Sequence, residues 1–129
     1  MWTYTFIGTV TGRHEVLVCP GSLTITPQAG GTFTGSFIFQ PTTECEATSG
    51  NVTRGAYGPD GSIGFELEFP PSSDPIFVQA VSACSQISGS ERLLGSIAGN
   101  RIRASARVVI DCGNPDTHGS VTLAVAGSR

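Results

Sequence analysis

The stretch Ser22–Gln40, SLTITPQAGGTFTGSFIFQ, decides the fold. Leu23 and Ile25 alternate with Thr24 and Thr26, and Phe33, Phe37 and Phe39 share one phase of the run that follows. This period of two belongs to strands with one buried face. Between the runs, Gln28-Ala29-Gly30-Gly31 enters a tight turn, because glycine tolerates positive φ without steric cost. Residues 22 to 40 therefore read as an antiparallel hairpin. Gly35, where Phe33 and Phe37 set the inward phase, marks either a bend at a barrel corner or close packing by a neighbouring aromatic ring; simple strand curvature is the plain alternative.

The same rhythm extends in both directions. Upstream, Trp2, Tyr4 and Phe6 alternate with Thr3, Thr5 and Ile7, and Thr11-Gly12 provides a turn. Glu15 to Cys19 then forms a strand carrying Val16 and Val18 on one face, which Pro20-Gly21 closes. Downstream, Gln40 to Gly50 reads as a loop and Asn51 to Tyr57 as a strand. After the turn Pro59-Asp60-Gly61, Ile63, Phe65, Leu67 and Phe69 alternate with Gly64, Glu66 and Glu68, which leaves the acids to water. Pro70 to Pro75 is another loop, and Ile76 to Cys84 is a strand of unfixed phase.

Leu93 to Ile97, the turn Gly99-Asn100 and Arg101 to Ile110 make a second hairpin. Ile102, Ala104, Ala106, Val108 and Ile110 share one face of its long arm; Arg101, Arg103, Ser105 and Arg107 share the other, so one face is core and one is wet. A loop over Gly113 to Asp116 leads to the strand Ser120 to Ala126, with Val121, Leu123 and Val125 in phase. The fold class is all-β, an antiparallel up-and-down meander of eight to ten strands in one domain over residues 1–129. Closure into a barrel leaves no edge strand to pair with another chain, so a closed barrel is expected, with a two-sheet β-sandwich as the alternative.

Composition agrees and excludes several functions. Only 13% of the 129 residues are charged, while 17 glycines and 8 prolines break the chain into short strands. The formal charge is −3 and the seven basic residues are scattered, so no groove can neutralise a phosphate backbone and nucleic acid is not an expected partner. Apolar runs such as Phe37–Phe39 and Val108–Ile110 fall far short of the roughly 20 residues of a membrane helix, so no transmembrane helix is expected. An outer-membrane barrel would carry aromatic girdles, but the rings here sit within strands and only Trp2 and Tyr57 resemble interface anchors.

The four cysteines, Cys19, Cys45, Cys84 and Cys112, form no C-x-x-C and no Cys/His cluster. Two disulfides in an oxidising compartment fit better than a metal site, which points to a secreted, periplasmic or cell-surface protein. No basic and apolar leader precedes Trp2, so the export signal is expected to have been removed, with Met1 standing in its place. Cys19 and Cys45 are 26 residues apart and Cys84 and Cys112 are 28 apart, each pair bracketing a strand-turn-strand unit. Sequential pairing is therefore expected among the three possible connectivities.

Chemistry-bearing residues are few. His14 and His118 lie beside glycine-containing turns and read as surface histidines, and no further ligands accompany them, so no metal and no cofactor are expected. No serine sits in a nucleophile elbow, and Glu66 and Glu68, two apart on a wet face, read as solvating groups rather than a catalytic pair. Asn51-Val52-Thr53 fits a glycosylation acceptor, whereas Asn114 is followed by Pro115 and does not. Arg54 shares a face with Val52 and Ala56, opposite the face of Asn51, Thr53, Gly55 and Tyr57. If Val52 and Ala56 point inward, Arg54 enters the interior and needs a carboxylate or a bound anion; if Tyr57 points inward, Arg54 is a surface residue.

Trp2-Thr3-Tyr4, then Gly21-Ser22-Leu23-Thr24-Ile25-Thr26, the glycine-rich turn and Phe33-Thr34-Gly35-Ser36 resemble small exported barrels of the avidin and lipocalin-like type, over about the first 40 residues. The resemblance implies a barrel and non-catalytic binding, since avidin-like proteins hold a small ligand with rings and hydroxyls and lipocalins carry apolar molecules. The late strands lack tryptophan and the opening strand lacks Gly-x-Trp, so neither family's binding set can be placed on this chain.

The ring side chains on inward phases motivate a functional expectation: non-catalytic binding of a small, largely apolar molecule by Tyr4, Phe6, Phe37, Phe39, Phe65, Tyr57 and Arg54. The same rings can instead fill a small barrel completely. The rival expectation is a structural or adhesive module that associates with other copies of itself, because charge depletion resembles the core of protein interfaces. An enzyme is not expected.

Overall fold

The protein forms an eight-stranded antiparallel barrel, seen in a computed structural model that describes residues 1–11, 16–43, 45, 47–68, 85–111 and 119–129. Its strands are β1 (Trp2–Thr11), β2 (Val16–Gln28), β3 (Thr32–Phe39), β4 (Thr48–Tyr57), β5 (Ser62–Glu68), β6 (Ser85–Ala98), β7 (Arg101–Asp111) and β8 (Gly119–Ser128). Each pairs with the next, and β1 pairs with β8 from Thr5↔Ser128 to Thr11↔Thr122. Closure leaves no unpaired edge and rules out the two-sheet sandwich.

The described strands number eight: two of the predicted ones fuse into β2, and the predicted Ile76–Cys84 strand lies outside the described residues. Proline and glycine at 20 and 21 predict a strand end, yet β2 runs straight through them, with Ile7↔Pro20 and Phe6↔Gly21 in register. The NH and C=O of one strand residue point to the same neighbour. The carbonyl of Pro20 accepts from the NH of Gln40, just past the end of β3, so the missing proline NH falls where the β2–β3 ladder is ending. The first segment keeps Val16 and Val18 on one face, as expected, and the continuation fixes which face that is. Cys19, Gly21, Leu23 and Ile25 face inward, which turns Val16 and Val18 out to solvent.

Other boundaries differ as well. β6 begins at Ser85, ahead of the predicted Leu93, and reaches its partner β7 through register shifts between Gln86 and Ser88 and between Ser90 and Leu94. The predicted Ile76–Cys84 strand, along with Phe69, His14, His118, Cys84 and Cys112, lies outside the described residues.

The turn at 28–31 forms as the sequence dictates, with Gly30 and Gly31 at φ 77° and 72°. The second hairpin keeps its predicted phase, with Ile102 and Ala104 buried and Arg101 and Arg103 exposed.

Large rings fit this narrow barrel because glycines stand opposite them. Phe6 pairs with Gly21, Phe37 with Gly50 and Phe33 with Gly55. A Cβ on Gly21 would meet the Phe6 ring at 2.6 Å, and one on Gly50 would meet the Phe37 ring at 2.8 Å. Each ring thus lies over the backbone of its partner, the large-and-small alternation that fills small barrels. Gly35 answers to a different need: a Cβ there would strike the backbone carbonyl of Thr24, not a ring.

Arg54 sits at a β-bulge. Between Gly35↔Val52 and Phe33↔Gly55, β4 carries one more residue than β3, and the same extra residue shifts its register with β5. Arg54 is the residue in the left-handed region, at φ 53°. From β6, Nη1 of Arg92 donates to the carbonyl of Arg54 at 2.7 Å. It passes Gly64 of β5, where a Cβ would meet its guanidinium at 2.8 Å. Three strands thereby hold the bulge.

Candidate functional site

The two ends of the barrel differ. One end carries the turns 29–31, 58–61 and 99–100, together with Trp2 and Arg129. At the other end lie the strand termini Phe39, Thr48, Glu68, Ser85, Asp111 and Gly119. Near that second end, the Cys19–Cys45 disulfide ties the segment between β3 and β4 to β2, with Cα atoms 5.9 Å apart. Within the segment the Thr42 NH donates to the Cys45 carbonyl, and the Cys45 NH donates to the Thr42 hydroxyl. This bridge is the first of the two pairings expected from the spacing.

The middle of the interior is filled. Tyr4, Phe65 and Ile102 expose 0% of their surface and Phe37 and Leu93 only 1%, so no water-sized space touches these side chains. The expected binding rings divide accordingly. Phe6, Phe37 and Phe39 form one cluster, with Phe6–Phe39 centroids at 5.3 Å and Phe37–Phe39 at 5.7 Å, both edge-on. Phe65 contacts Phe33 at 6.0 Å, and Tyr57 stacks on Phe33 at 6.4 Å. Edge and offset contacts at these distances are the favourable aromatic geometries.

Arg54 takes no part in this interior. Its side chain is 78% exposed on the outer wall and lies 3.6 Å from Glu66. The sequence posed two alternatives, Val52 and Ala56 inward or Tyr57 inward, and the bulge splits the first: Val52 is inward but Ala56 is exposed. Val52 is buried before it, while Gly55 and Tyr57 return to the inner phase after it.

What remains is the turn end. Trp2 and Tyr57, 39% and 41% exposed, stand at its rim. Tyr4 lies one inward position below Trp2, and its hydroxyl is buried without a hydrogen-bond partner. A buried hydroxyl left unpaired costs about 1–3 kcal/mol, so such an atom calls for an explanation. Over the two rings, the Arg129 guanidinium lies 5.1 Å from the Trp2 centroid and 5.9 Å from that of Tyr4. The Arg129 backbone NH is fixed to the Asn100 carbonyl at 2.9 Å, and Nη2 lies 3.5 Å from the Gly99 carbonyl. Among the described residues no carboxylate pairs with this guanidinium.

The residue pattern allowed Trp2 and Arg129 to be found. Leu123 and Val125 set the inward phase of β8, and continuing by twos reaches Gly127 and then Arg129. Arg129 thus lies over the Trp2 and Tyr4 rings at the turn end, whereas Arg54 lies on the outer wall. Among the described residues no three His, Cys, Asp or Glu side chains converge, and no helix is long and apolar enough to cross a membrane.

Neither a family model nor a curated protein matches the sequence. The resemblance to avidin-like and lipocalin-like barrels is corrected by these findings. It assigns no family, and the closed barrel spans nearly the whole chain, Trp2 to Ser128, rather than resting on the first 40 residues.

Proposed function

We propose that the protein is a non-catalytic binding module that takes a small, largely apolar molecule with an acidic head group at the turn end of the barrel. The unpartnered Tyr4 hydroxyl, with the Arg129 guanidinium over the ring that bears it, carries this reading. The Arg129 side chain lies over the Tyr4 ring; when it swings aside to meet an acid, the hydroxyl beside it becomes a donor, and the guanidinium supplies a charge without an acidic partner among the described residues. Trp2 and Tyr57 offer flat apolar surface at the same rim. The deeper rings, Phe6, Phe37, Phe39 and Phe65, serve as filling that holds the rim rigid. The Cys19–Cys45 bridge supports a working place in an oxidising compartment, whether secreted, periplasmic or at a cell surface.

Trp2 is the only tryptophan, so its fluorescence reports on the site directly. Titration with anilinonaphthalene sulfonate, an apolar probe with an acidic group, should give a saturable one-to-one change. Tyr4→Phe and Arg129→Ala should each weaken it by about tenfold, equivalent to about 1.4 kcal/mol. Phenylnaphthylamine, which lacks the acid, should be indifferent to Arg129→Ala. Tyr4→Phe should unfold at the same or a higher urea concentration than the parent, because it removes an unpaired buried polar atom. Absence of any saturable change, or equal response of both probes to Arg129→Ala, would reject the reading.

A further inference from the structure

The depth of the turn end limits what sits there. Tyr4, Phe65 and Ile102 expose 0% of their surface, and Ile25 and Leu93 only 1%. These side chains come from β1, β5, β7, β2 and β6, so the strands around the axis leave no channel beside them down which an acyl chain would thread. The surface at the rim is flat. Trp2 is partly exposed, and the Arg129 guanidinium, itself planar, lies over its ring at 5.1 Å from the centroid. With Arg129 swung to an acid, that face is open to a ring.

The charge over these rings is single. Arg101, close to Arg129 at the same turn, has the phase opposite to buried Ile102 and stands on the outer wall. In the turn 58–61 the ionised group is the Asp60 carboxylate, which accepts from Ser62. A head group with a second negative charge would therefore meet no second cation on the inner side among the described residues.

We propose, on the reading of the turn end as an acid-binding rim, that the acid is a planar aromatic monocarboxylate whose ring lies on Trp2 while its two oxygens divide between the Tyr4 hydroxyl and the Arg129 guanidinium. The hydroxyl has one proton to donate and the guanidinium a fork of NH groups, which matches a group with two acceptor oxygens and one charge. A carboxylate conjugated to its ring is one flat body, and the Trp2 and Tyr4 rings lie under one guanidinium. A flexible acyl chain would lose its rotamer freedom on a rim that leads into no channel to bury it.

Isothermal titration calorimetry on the disulfide-intact chain, comparing naphthoate, decanoate and naphthyl phosphate at a pH where the phosphate is doubly charged, tests this class. Naphthoate should bind one to one, and decanoate and naphthyl phosphate should each bind about tenfold more weakly. Trp2→Leu, which keeps apolar contact and removes the flat face, should abolish the preference for naphthoate over decanoate. Circular dichroism checks that the variant folds, and the comparison in the parent protein decides the matter if it does not. Decanoate or naphthyl phosphate binding as tightly as naphthoate would overturn the proposal and leave the acid-binding rim standing. So would a Trp2→Leu protein that keeps the full preference, or failure of naphthoate where anilinonaphthalene sulfonate still binds. Failure of all four probes would overturn the reading of the rim as well.

Discussion

Val52 and Tyr57, five positions apart on β4, both turn to the inner side of the barrel. In an uninterrupted strand an odd separation places two side chains on opposite faces. The left-handed residue between them, Arg54, absorbs one position and resets the phase. A single residue of backbone thereby lets Val52 fill the core while Tyr57 reaches the rim.

Arg54→Gly should fold as well as the parent or gain up to about 1 kcal/mol, because glycine enters the left-handed region freely and the exposed pair with Glu66 contributes little. Arg54→Val should lose roughly 1–2 kcal/mol relative to Arg54→Gly, since β-branched residues tolerate that region worst. Urea unfolding midpoints compare the two, and equal midpoints would remove the strain from the account.

Phe37 and Gly50 should behave as one packing unit. Phe37→Ala should cost about 3–5 kcal/mol as a buried ring is lost. Gly50→Ala should cost about 1–3 kcal/mol, because its new methyl meets the Phe37 ring and the Glu68 carbonyl. Combining the two should cost less than the sum of the single changes. Strict additivity in a double-mutant cycle would show that the ring does not rest on the glycine.

Reducing the Cys19–Cys45 bridge should cost roughly 3–4 kcal/mol, the chain-entropy value for a loop of its 26-residue separation. Peptide mapping of intact protein should also recover a Cys84–Cys112 link, expected from the spacing. A Cys84 or Cys112 peptide with a free thiol would overturn the second pairing.

Asp60 should titrate below the ordinary aspartate value. The Ser62 hydroxyl donates to its carboxylate at 2.7 Å, and the Ser62 backbone NH does so at 3.1 Å. Both favour the charged form, so the folded pKa is depressed. The turn's stabilisation is then fully present above the unfolded pKa and is lost as pH falls through the folded one. Carboxyl carbon shifts followed by NMR across acid pH provide the check, and a midpoint at or above the ordinary value contradicts these bonds.

Much of the architecture was legible in the sequence, and the remainder shows where a local pattern is insufficient. Alternation placed Leu23, Ile25, Phe33 and Ile102 in the core, and glycine-rich dipeptides placed the turns. Pro20 misled because its tolerance depends on where β3 ends, a fact of the neighbouring strand. Arg54 stayed ambiguous because a bulge erases the period on which the reading relied. Aromatic phase identified Tyr4 as an inward residue, but the solitude of its hydroxyl is a property of the packed interior and has no signature along the chain.

An NMR shift map of the protein titrated with anilinonaphthalene sulfonate tests the central claim most directly. The account predicts perturbations gathered at the Trp2 indole, Tyr4, Tyr57 and Arg129, with the rings of Phe6, Phe37 and Phe39 undisturbed because they lie deeper in the barrel, away from the turn end. Perturbations centred on Phe37 and Phe39 would contradict it, placing the ligand in the interior rather than at the rim.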